Sequence, residues 1–396
     1  MAEGRHRPSW VEIDLSAIEH NARVLAAIAA PAELCAVVKA DAYGHGAVEV
    51  AGAALAGGAT SLAVAIEEEG VELREAGIDA PVLVLAEPVA GSMAEMLHHR
   101  LVPTLYTPEG LEVVRRTAAA AATPGPVPVE VKIDTGMHRV GADPARLVGF
   151  LQAMAGAPEL ALDGLWTHLA VADEPESDFT GEQLRRFAAA LSGVAAAGLS
   201  RPRRLHAANT AGAIAWPESR LDVVRCGIGI YGCSPSPALA PLVAAAATAA
   251  GFPEGLRPAL SWISQVGLVR ELEAGERLSY GLLAPLPARA TVATVPLGYA
   301  DGIPRAYFSG GGEVLVNGSR RRLAGTVTMD QVVVDCGADR AVAKGDEVVL
   351  IGRQGAESIT ADDWAGNLDT VNYEVLTRIG PRVPRRYKVA PGPASG

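Results

Sequence analysis

The chain has 396 residues, of which 49% are hydrophobic and 20% are charged, and its formal net charge is −11. This length favours two domains with substantial cores, and the negative charge argues against a general nucleic-acid binder or a protein of anionic membranes. The four cysteines contain no C-x-x-C pair, which disfavours a disulfide framework or a zinc site. No run of strongly apolar residues is long enough for a membrane span or a signal peptide, so we expect a cytoplasmic protein. We also expect no bound metal.

Eight short apolar runs alternate with alanine-rich amphipathic segments over about the first 245 residues. The predicted strands are residues 34–40, 61–65, 81–86, 101–106, 127–133, 162–169, 203–208 and 221–225. Such alternation is typical of a parallel (β/α)8 barrel of the TIM type, whose strands are buried on both faces. A doubly wound open sheet is the alternative, but no G-x-G-x-x-G fingerprint follows the first strand.

The pattern changes in the proline-rich stretch 235–258. Alternating β segments follow at 259–269, 290–299, 312–318, 320–337 and 346–352, with one helix near 360–368. We therefore predict an α/β + β fold, with the barrel over residues 1–247 and a mostly β domain over 248–396. The opening strand, residues 9–15, is a candidate to pair with the second domain.

Polar side chains follow the apolar runs at the strand ends, where a βα barrel carries its active site. They are Lys39, Lys132 with Asp134, His168, His206 with Asn209 and Thr210, and Arg225. Only four of the 34 basic residues are lysines, so the two lysines within apolar segments stand out. On position alone, Lys39 is either an ordinary lysine at a strand end or a desolvated amine able to form a Schiff base.

Several ordered motifs give this chain a resemblance to a known family. VKADAYGHG (38–46), KIDTGMHRVG (132–141), THLAVADE (167–174), HAANTAG (206–212) and VRCGIGIYG (224–232) lie in the first half. LSYG (278–281), VPLGYADG (295–302), VTMDQ (327–331), VNYE (371–374) and RIGPRVPRRY (378–387) lie in the second. Together they resemble the alanine racemases, pyridoxal-phosphate enzymes of fold type III, over residues 9–388.

The resemblance implies two catalytic bases, one for each face of the substrate. Lys39 matches the lysine that carries pyridoxal phosphate, and Tyr280 matches the base of the opposite face. In the family that tyrosine comes from the partner subunit, so a homodimer with shared active sites is implied. Without the resemblance, Tyr280 would be interpreted as an aromatic residue of a β-strand core or interface.

The resemblance also assigns the contacts to cofactor and substrate. Arg225 matches the residue that faces the pyridine nitrogen. Without the resemblance, Arg225 would be interpreted as a strand-end arginine in a surface ion pair. His168 matches a residue that supports Tyr280. Arg139 and the backbone N–H of Met329 match groups that bind the substrate carboxylate, and Lys132 matches a lysine that is often carbamylated. The implied cofactor-binding set also contains Tyr43, Asn209, Thr210, Gly227, Ile228 and Tyr373, most of which would hold the phosphate.

Asp173, Tyr299, Arg305 and Tyr373 match residues that narrow the entrance of the family's channel, which suits a small side chain. The implied function is the interconversion of L-alanine and D-alanine, with D-alanine supplying peptidoglycan. A racemase of the same family acting on serine or another small amino acid is the alternative. A decarboxylase on the same scaffold would need an acidic residue in place of Arg225, and a one-domain cofactor carrier would lack the second half.

Overall fold

The structure, a computed structural model, describes residues 7–121 and 125–389. The strands are β1 (Ser9–Asp14), β2 (Glu33–Val37), β3 (Ala59–Val64), β4 (Val82–Val84), β5 (Val102–Leu105), β6 (Val127–Lys132), β7 (Leu160–Trp166), β8 (Arg204–His206), β9 (Val223–Cys226), β10 (Leu260–Gln265), β11 (Leu268–Leu272), β12 (Ala290–Val295), β13 (Glu313–Val316), β14 (Ser319–Arg322), β15 (Val332–Asp335), β16 (Glu347–Gln354), β17 (Glu357–Ile359) and β18 (Arg385–Lys388). The helices are α1 (Leu15–Ala29), α2 (Lys39–Gly44), α3 (Ala47–Ala56), α4 (Glu67–Glu75), α5 (Met93–His98), α6 (Pro108–Ala121), α7 (Leu147–Ala155), α8 (Phe179–Ala196), α9 (Thr210–Ala215), α10 (Ala240–Ala249), α11 (Ala361–Leu368) and α12 (Asn372–Thr377). In the described part of the chain, no helix is both long and apolar enough to span a membrane.

The described chain divides into two compact units. The barrel unit contains the described residues of Ser16–Ala42 and Gly46–Pro258. The β unit contains the described residues up to Leu15, the short segment Tyr43–His45, and the described residues from Ala259 onward.

Eight parallel strands form the barrel, as the apolar runs predicted, in the order β8-β7-β6-β5-β4-β3-β2-β9. Strands such as β4 and β9 are buried at every residue, which explains why their sequences are continuously apolar rather than alternating. The two end strands approach each other: the Asp222 N–H donates to the Leu205 carbonyl at 2.9 Å and the Arg225 N–H to the Ala208 carbonyl at 2.9 Å. The predicted (β/α)8 architecture is confirmed.

Helices of the barrel unit pack through apolar faces. In α1, Ile18, Ala22, Leu25 and Ile28 recur at three- and four-residue spacing and are buried. Helix α10 also belongs to this unit, because Val243 and Ala247 pack into its apolar clusters. The structural division therefore falls between Pro258 and Ala259 rather than at residue 247.

The β unit contains a seven-stranded sheet, β14-β13-β16-β10-β1-β18 with β17 on β16, and a three-stranded sheet, β11-β12-β15. Strand β1 pairs antiparallel with β10 and parallel with β18. The predicted single strand 259–269 is two strands in different sheets, because the chain leaves the first sheet at Val266 and Gly267. Likewise, segment 320–337 contains β14 and β15 separated by a loop, and α12 follows the predicted helix α11.

Candidate active site at the ends of the barrel strands

Lys39 lies directly beyond β2, at the start of a left-handed helical turn. Residues 40–43 all have φ between 51° and 54°, a conformation that costs L-residues about 1–2 kcal/mol each. Two carboxylates hold this turn: Glu69 Oε1 accepts from the Ala40 N–H at 2.6 Å, and Asp41 Oδ1 accepts from the Ala47 N–H at 2.9 Å. Backbone strain of this kind is concentrated at functional sites, which singles out the residues around Lys39.

The ammonium group of Lys39 is electrostatically unfavourable where it lies. Burial lowers its pKa, the positive charge of Arg139 lowers it further, and the carboxylate of Glu69 opposes both effects. A lysine whose pKa is lowered has a larger neutral fraction at neutral pH, and the neutral amine is the form that acts as a nucleophile or a base.

A second amine, Lys132, ends β6 and faces the same cations. Burial and the charges of Arg139, Arg225 and Lys39 lower its pKa to about 8, against the opposing charge of Asp134. Its Nζ also lies 5.1 Å from the centre of the Trp166 ring. Lys39, Lys132, Arg139 and Arg225 therefore form a cationic cluster, named so below, around the ends of the barrel strands.

Arg225 is 3% exposed on β9, which excludes the surface ion pair considered above. Its Nη1 donates to His206 Nδ1 at 2.8 Å, and its Nη2 donates to the Thr167 carbonyl at 2.7 Å. Burial lowers its pKa to about 10, so the guanidinium remains charged at neutral pH.

His168 follows β7 and lies beside the same guanidinium, with its Nδ1 3.3 Å from Arg225 Nη2. Burial and the charges of Arg225 and Lys132 hold its pKa well below the ordinary value, so the ring is neutral at neutral pH. Farther along this loop, Asp173 is half-buried and its carbonyl accepts from the Ser236 hydroxyl at 2.9 Å.

Small residues and backbone N–H groups surround the Thr210 hydroxyl. It accepts from the Gly227 N–H at 3.1 Å, and a Cβ at Gly229 would lie 2.7 Å from Thr210 Cγ2. Asn209 caps α9 by accepting from the Gly212 N–H at 2.9 Å, and Ile228 begins a buried 3-10 turn. Because the first N–H groups of any helical turn lack acceptors within it, such a turn can contact an anion.

In the β unit, three loops bring another group of predicted residues together. The Thr326 hydroxyl donates to the Tyr280 carbonyl at 2.9 Å. In the continuation of that loop, the Tyr299 N–H donates to the Thr328 carbonyl at 2.9 Å and the Ala300 N–H donates to the Met329 carbonyl at 3.1 Å. The side chains of Tyr280, Tyr299 and Met329 are exposed, Tyr280 to 70%.

The remaining predicted residues also lie in the β unit. Arg305 is exposed at the start of a 3-10 turn. The rings of Tyr43 and Tyr373 lie 6.1 Å apart, and Tyr43 is buried.

Sequence reasoning missed two carboxylates of the barrel unit. Glu69 accepts from the Ala65 N–H before α4, at 2.7 Å, and it also holds the turn after Lys39. Glu130 lies within the apolar strand β6 and its Oε2 is 2.8 Å from His206 Nε2. An acidic residue inside a buried strand was the signal, since such a charge requires a partner. Among residues 7–121 and 125–389, no group of three or more histidine, cysteine or acidic side chains could hold a metal.

Comparison with known proteins gives a consistent result. Residues 13–235 match the family described as alanine racemase, N-terminal domain, and residues 259–387 match alanine racemase, C-terminal domain. The alanine racemase of Symbiobacterium thermophilum is 45% identical over 381 residues, which cover 96% of this chain and 97% of that protein. The crystal structure of alanine racemase from D-cycloserine-producing Streptomyces lavendulae is 39% identical with a TM-score of 0.88, covering 97% of this chain and 98% of that one. A histidine racemase from Leuconostoc mesenteroides subsp. sake is 29% identical with a TM-score of 0.84, covering 97% and 99% of the two chains.

Proposed function

The chain belongs to the alanine racemase family, and we propose that it interconverts L-alanine and D-alanine with pyridoxal phosphate bound at Lys39. The observation that carries the proposal is the cationic cluster, whose members lower the pKa values of its two lysines. The four cations outnumber the three carboxylates that oppose them, Glu69, Asp134 and Glu130. Such a cluster suits anionic ligands, and both a phosphate group and a substrate carboxylate are anions.

The residues present fit pyridoxal phosphate by their chemistry. When bound, this cofactor supplies an electron sink that makes the α-proton of an attached amino acid acidic. We assign its attachment to Lys39 and its phosphate to the Thr210 hydroxyl with the N–H groups of Gly227 and Ile228. For Asn209, Tyr43 and Tyr373, the cofactor contacts remain the predictions made from the sequence.

Arg225 is the proposed partner of the ring nitrogen. A guanidinium whose pKa remains about 10 donates a hydrogen bond without giving up its proton. The ring nitrogen would then stay largely unprotonated, which restrains the electron sink and favours return of the proton over side reactions. This assignment also argues against a decarboxylase, which would need an acid at that position.

Two bases would exchange the α-proton, one on each face. Lys39 serves one face because its lowered pKa leaves part of the amine neutral. Tyr280 serves the other face. An unperturbed phenol titrates near pH ~10, so Tyr280 needs support, which we assign to the neutral ring of His168 held by Arg225.

We propose that Tyr280 acts on the barrel of a second copy in a homodimer. Several large apolar side chains of the β unit are exposed, and monomers rarely expose such groups together. Their exposure supports a surface that a second copy covers; they are Tyr280, Leu282, Leu283, Tyr299 and Met329. In that arrangement we assign the narrowing of the substrate channel's entrance to Tyr299 and Arg305 together with Asp173 of the barrel.

Arg139 and the Met329 N–H are the proposed ligands of the substrate carboxylate. We also propose that Lys132 is carbamylated, because its pKa of about 8 leaves neutral amine to react with carbon dioxide. The product is an anion, which would relieve the like charges of Arg139 and Arg225.

Alanine is the proposed main substrate, and serine or another small amino acid is the alternative. A solved structure of similar fold is described as a histidine racemase. This supports the alternative, because the same scaffold also serves a racemase with a different substrate side chain. A cytoplasmic location and the supply of D-alanine to peptidoglycan complete the proposal; the four cysteines, all buried and none in a disulfide, fit a reducing compartment.

Isotope exchange tests the activity directly. Purified protein given L-alanine in deuterated water should form D-alanine with deuterium at the α-carbon, and borohydride should fix the cofactor to the peptide containing Lys39. Lys39→Ala should lose both signals. Protein that binds the cofactor at Lys39 but incorporates no α-deuterium from alanine would exclude alanine racemisation, and parallel assays with serine and larger amino acids would then rank the alternatives.

A further inference from the structure

Three side chains form a buried line of hydrogen bonds inside the barrel. Glu130 on β6, His206 on β8 and Arg225 on β9 are 3%, 2% and 3% exposed. His206 Nε2 lies 2.8 Å from Glu130 Oε2, and His206 Nδ1 lies 2.8 Å from Arg225 Nη1. The imidazole therefore connects a carboxylate to the guanidinium assigned above to the cofactor ring.

The donors and acceptors of this line define one tautomer of His206. A guanidinium can only donate, so His206 Nδ1 must be the acceptor. The single proton of a neutral imidazole then lies on Nε2 and is donated to the carboxylate of Glu130. Burial lowers the pKa of His206, against the charge of Glu130, and the neutral form is consistent with this bonding.

Neighbouring residues hold the line in place. The Trp166 ring stacks on His206 with centroids 5.7 Å apart, and Arg225 Cζ lies 4.6 Å from the same ring. Gly164 makes room for the carboxylate, because a Cβ there would lie 2.6 Å from Glu130 Cδ. The carboxylate thus occupies a fitted position in the barrel interior.

We propose that Glu130 is a positioning residue for Arg225. By accepting the Nε2 proton of His206, it fixes the tautomer whose Nδ1 accepts from Arg225, and so fixes the guanidinium in the plane set by His206 and the Thr167 carbonyl. The positioning role itself does not depend on the proposed function, whereas an effect of Glu130 on racemisation rests on it.

A carboxylate differs from an amide in the tautomer that it enforces. An ionised carboxylate only accepts, so it selects the Nε2–H form. The amide of a glutamine can accept from Nε2–H or donate to Nε2, and the second arrangement moves the histidine proton to Nδ1 and breaks the bond from Arg225. Glu130→Gln therefore tests the proposal with little change of volume.

The first measurement uses apoprotein labelled with 15N-histidine at about pH 7. The His206 signals, identified by their loss in His206→Gln, should show a neutral ring with the proton on Nε2 in the wild type. Glu130→Gln should lose this single tautomer. Glu87→Gln is the matched control, because Glu87 also accepts hydrogen bonds in the barrel unit but contacts Tyr106 and Thr107 instead. A wild-type His206 that is protonated or carries its proton on Nδ1 would overturn the proposal without any variant.

The second measurement is a double-mutant cycle on kcat, on KM and on the rate of cofactor loss. We expect Glu130→Gln to lower kcat by about tenfold or more with a smaller change in KM, and the double variant with His206→Gln to be no worse than His206→Gln alone. Independent, multiplying effects would show that Glu130 does not act through His206. If the wild type fails to racemise alanine, the proposed function fails, but the tautomer and the cofactor-loss cycle still decide the role of Glu130.

Discussion

At the scale of single residues, the barrel concentrates positive charge where it must also bind small anions. Lys39 and Lys132 both lose basicity because burial disfavours their ammonium forms and neighbouring arginines repel them. Glu69 and Asp134 partly offset this repulsion. The balance gives both amines a larger neutral fraction at neutral pH than an ordinary lysine has. Removing a neighbouring cation and removing a neighbouring carboxylate should change this fraction in opposite directions.

The pKa of Lys39 should therefore respond in opposite directions to two neighbours. Removing the positive charge with Arg139→Leu should raise the Lys39 pKa, whereas removing the negative charge with Glu69→Gln should lower it. Competitive acetylation of apoprotein followed by mass spectrometry measures this, with the exposed Lys344 amine as an internal reactivity reference. Shifts of the same sign would contradict the electrostatic account.

Lys132 should make the stability of the apoprotein depend on pH. Its folded-state pKa of about 8 lies below the ordinary 10.5, so between these values the unfolded chain binds more protons. The free energy of unfolding should therefore rise from pH 8 to 10 relative to Lys132→Met, by at most about 3 kcal/mol. Urea titrations in carbon-dioxide-free buffer measure this difference. Lys344→Met is the control and should show no such trend; a flat difference for Lys132→Met would contradict the lowered pKa.

At the scale of elements, the left-handed turn after β2 positions Lys39 and ends at a glycine with φ of 80°. A Cβ at Gly44 would lie 2.8 Å from the Leu376 carbonyl oxygen. We expect Gly44→Ala to destabilise the apoprotein by about 1–3 kcal/mol through strain and this contact. Gly52→Ala is the control: this exposed position in α3 has open space, and alanine there should stabilise by about 0.5–1 kcal/mol. Equal effects in urea unfolding would show that the turn is not constrained.

The elements differ in how far the sequence could predict them. The barrel strands were predictable because burial on both faces leaves continuous apolar runs. The split of residues 259–269 between two sheets was not, because only Val266 and Gly267 separate β10 from β11. The left-handed turn has no periodicity at all. The bond between Glu130 and His206 joins positions 76 residues apart, and only the pairing of β6, β7 and β8 brings them together.

At the scale of the whole molecule, the proposed homodimer makes each active site depend on two chains. The motifs alone indicated Lys39 and Tyr280, but the exposure of Tyr280 together with Leu283 and Met329 is what a shared site requires of the isolated chain. A surface of this kind should be covered when the protein is active. Subunit complementation tests this dependence without altering the apolar surface extensively.

Two inactive variants should restore activity to each other. In a mixed dimer of Lys39→Ala and Tyr280→Ala, one site combines both defects and the other combines intact Lys39 with intact Tyr280. Random exchange of equal amounts makes half of the dimers mixed, so about a quarter of the wild-type racemase activity should return. Each variant subjected to the same exchange alone is the control and should remain inactive. If dimers form, as light scattering would show, and no activity returns, then Lys39 and Tyr280 of the same chain serve one site and the shared-site proposal is wrong.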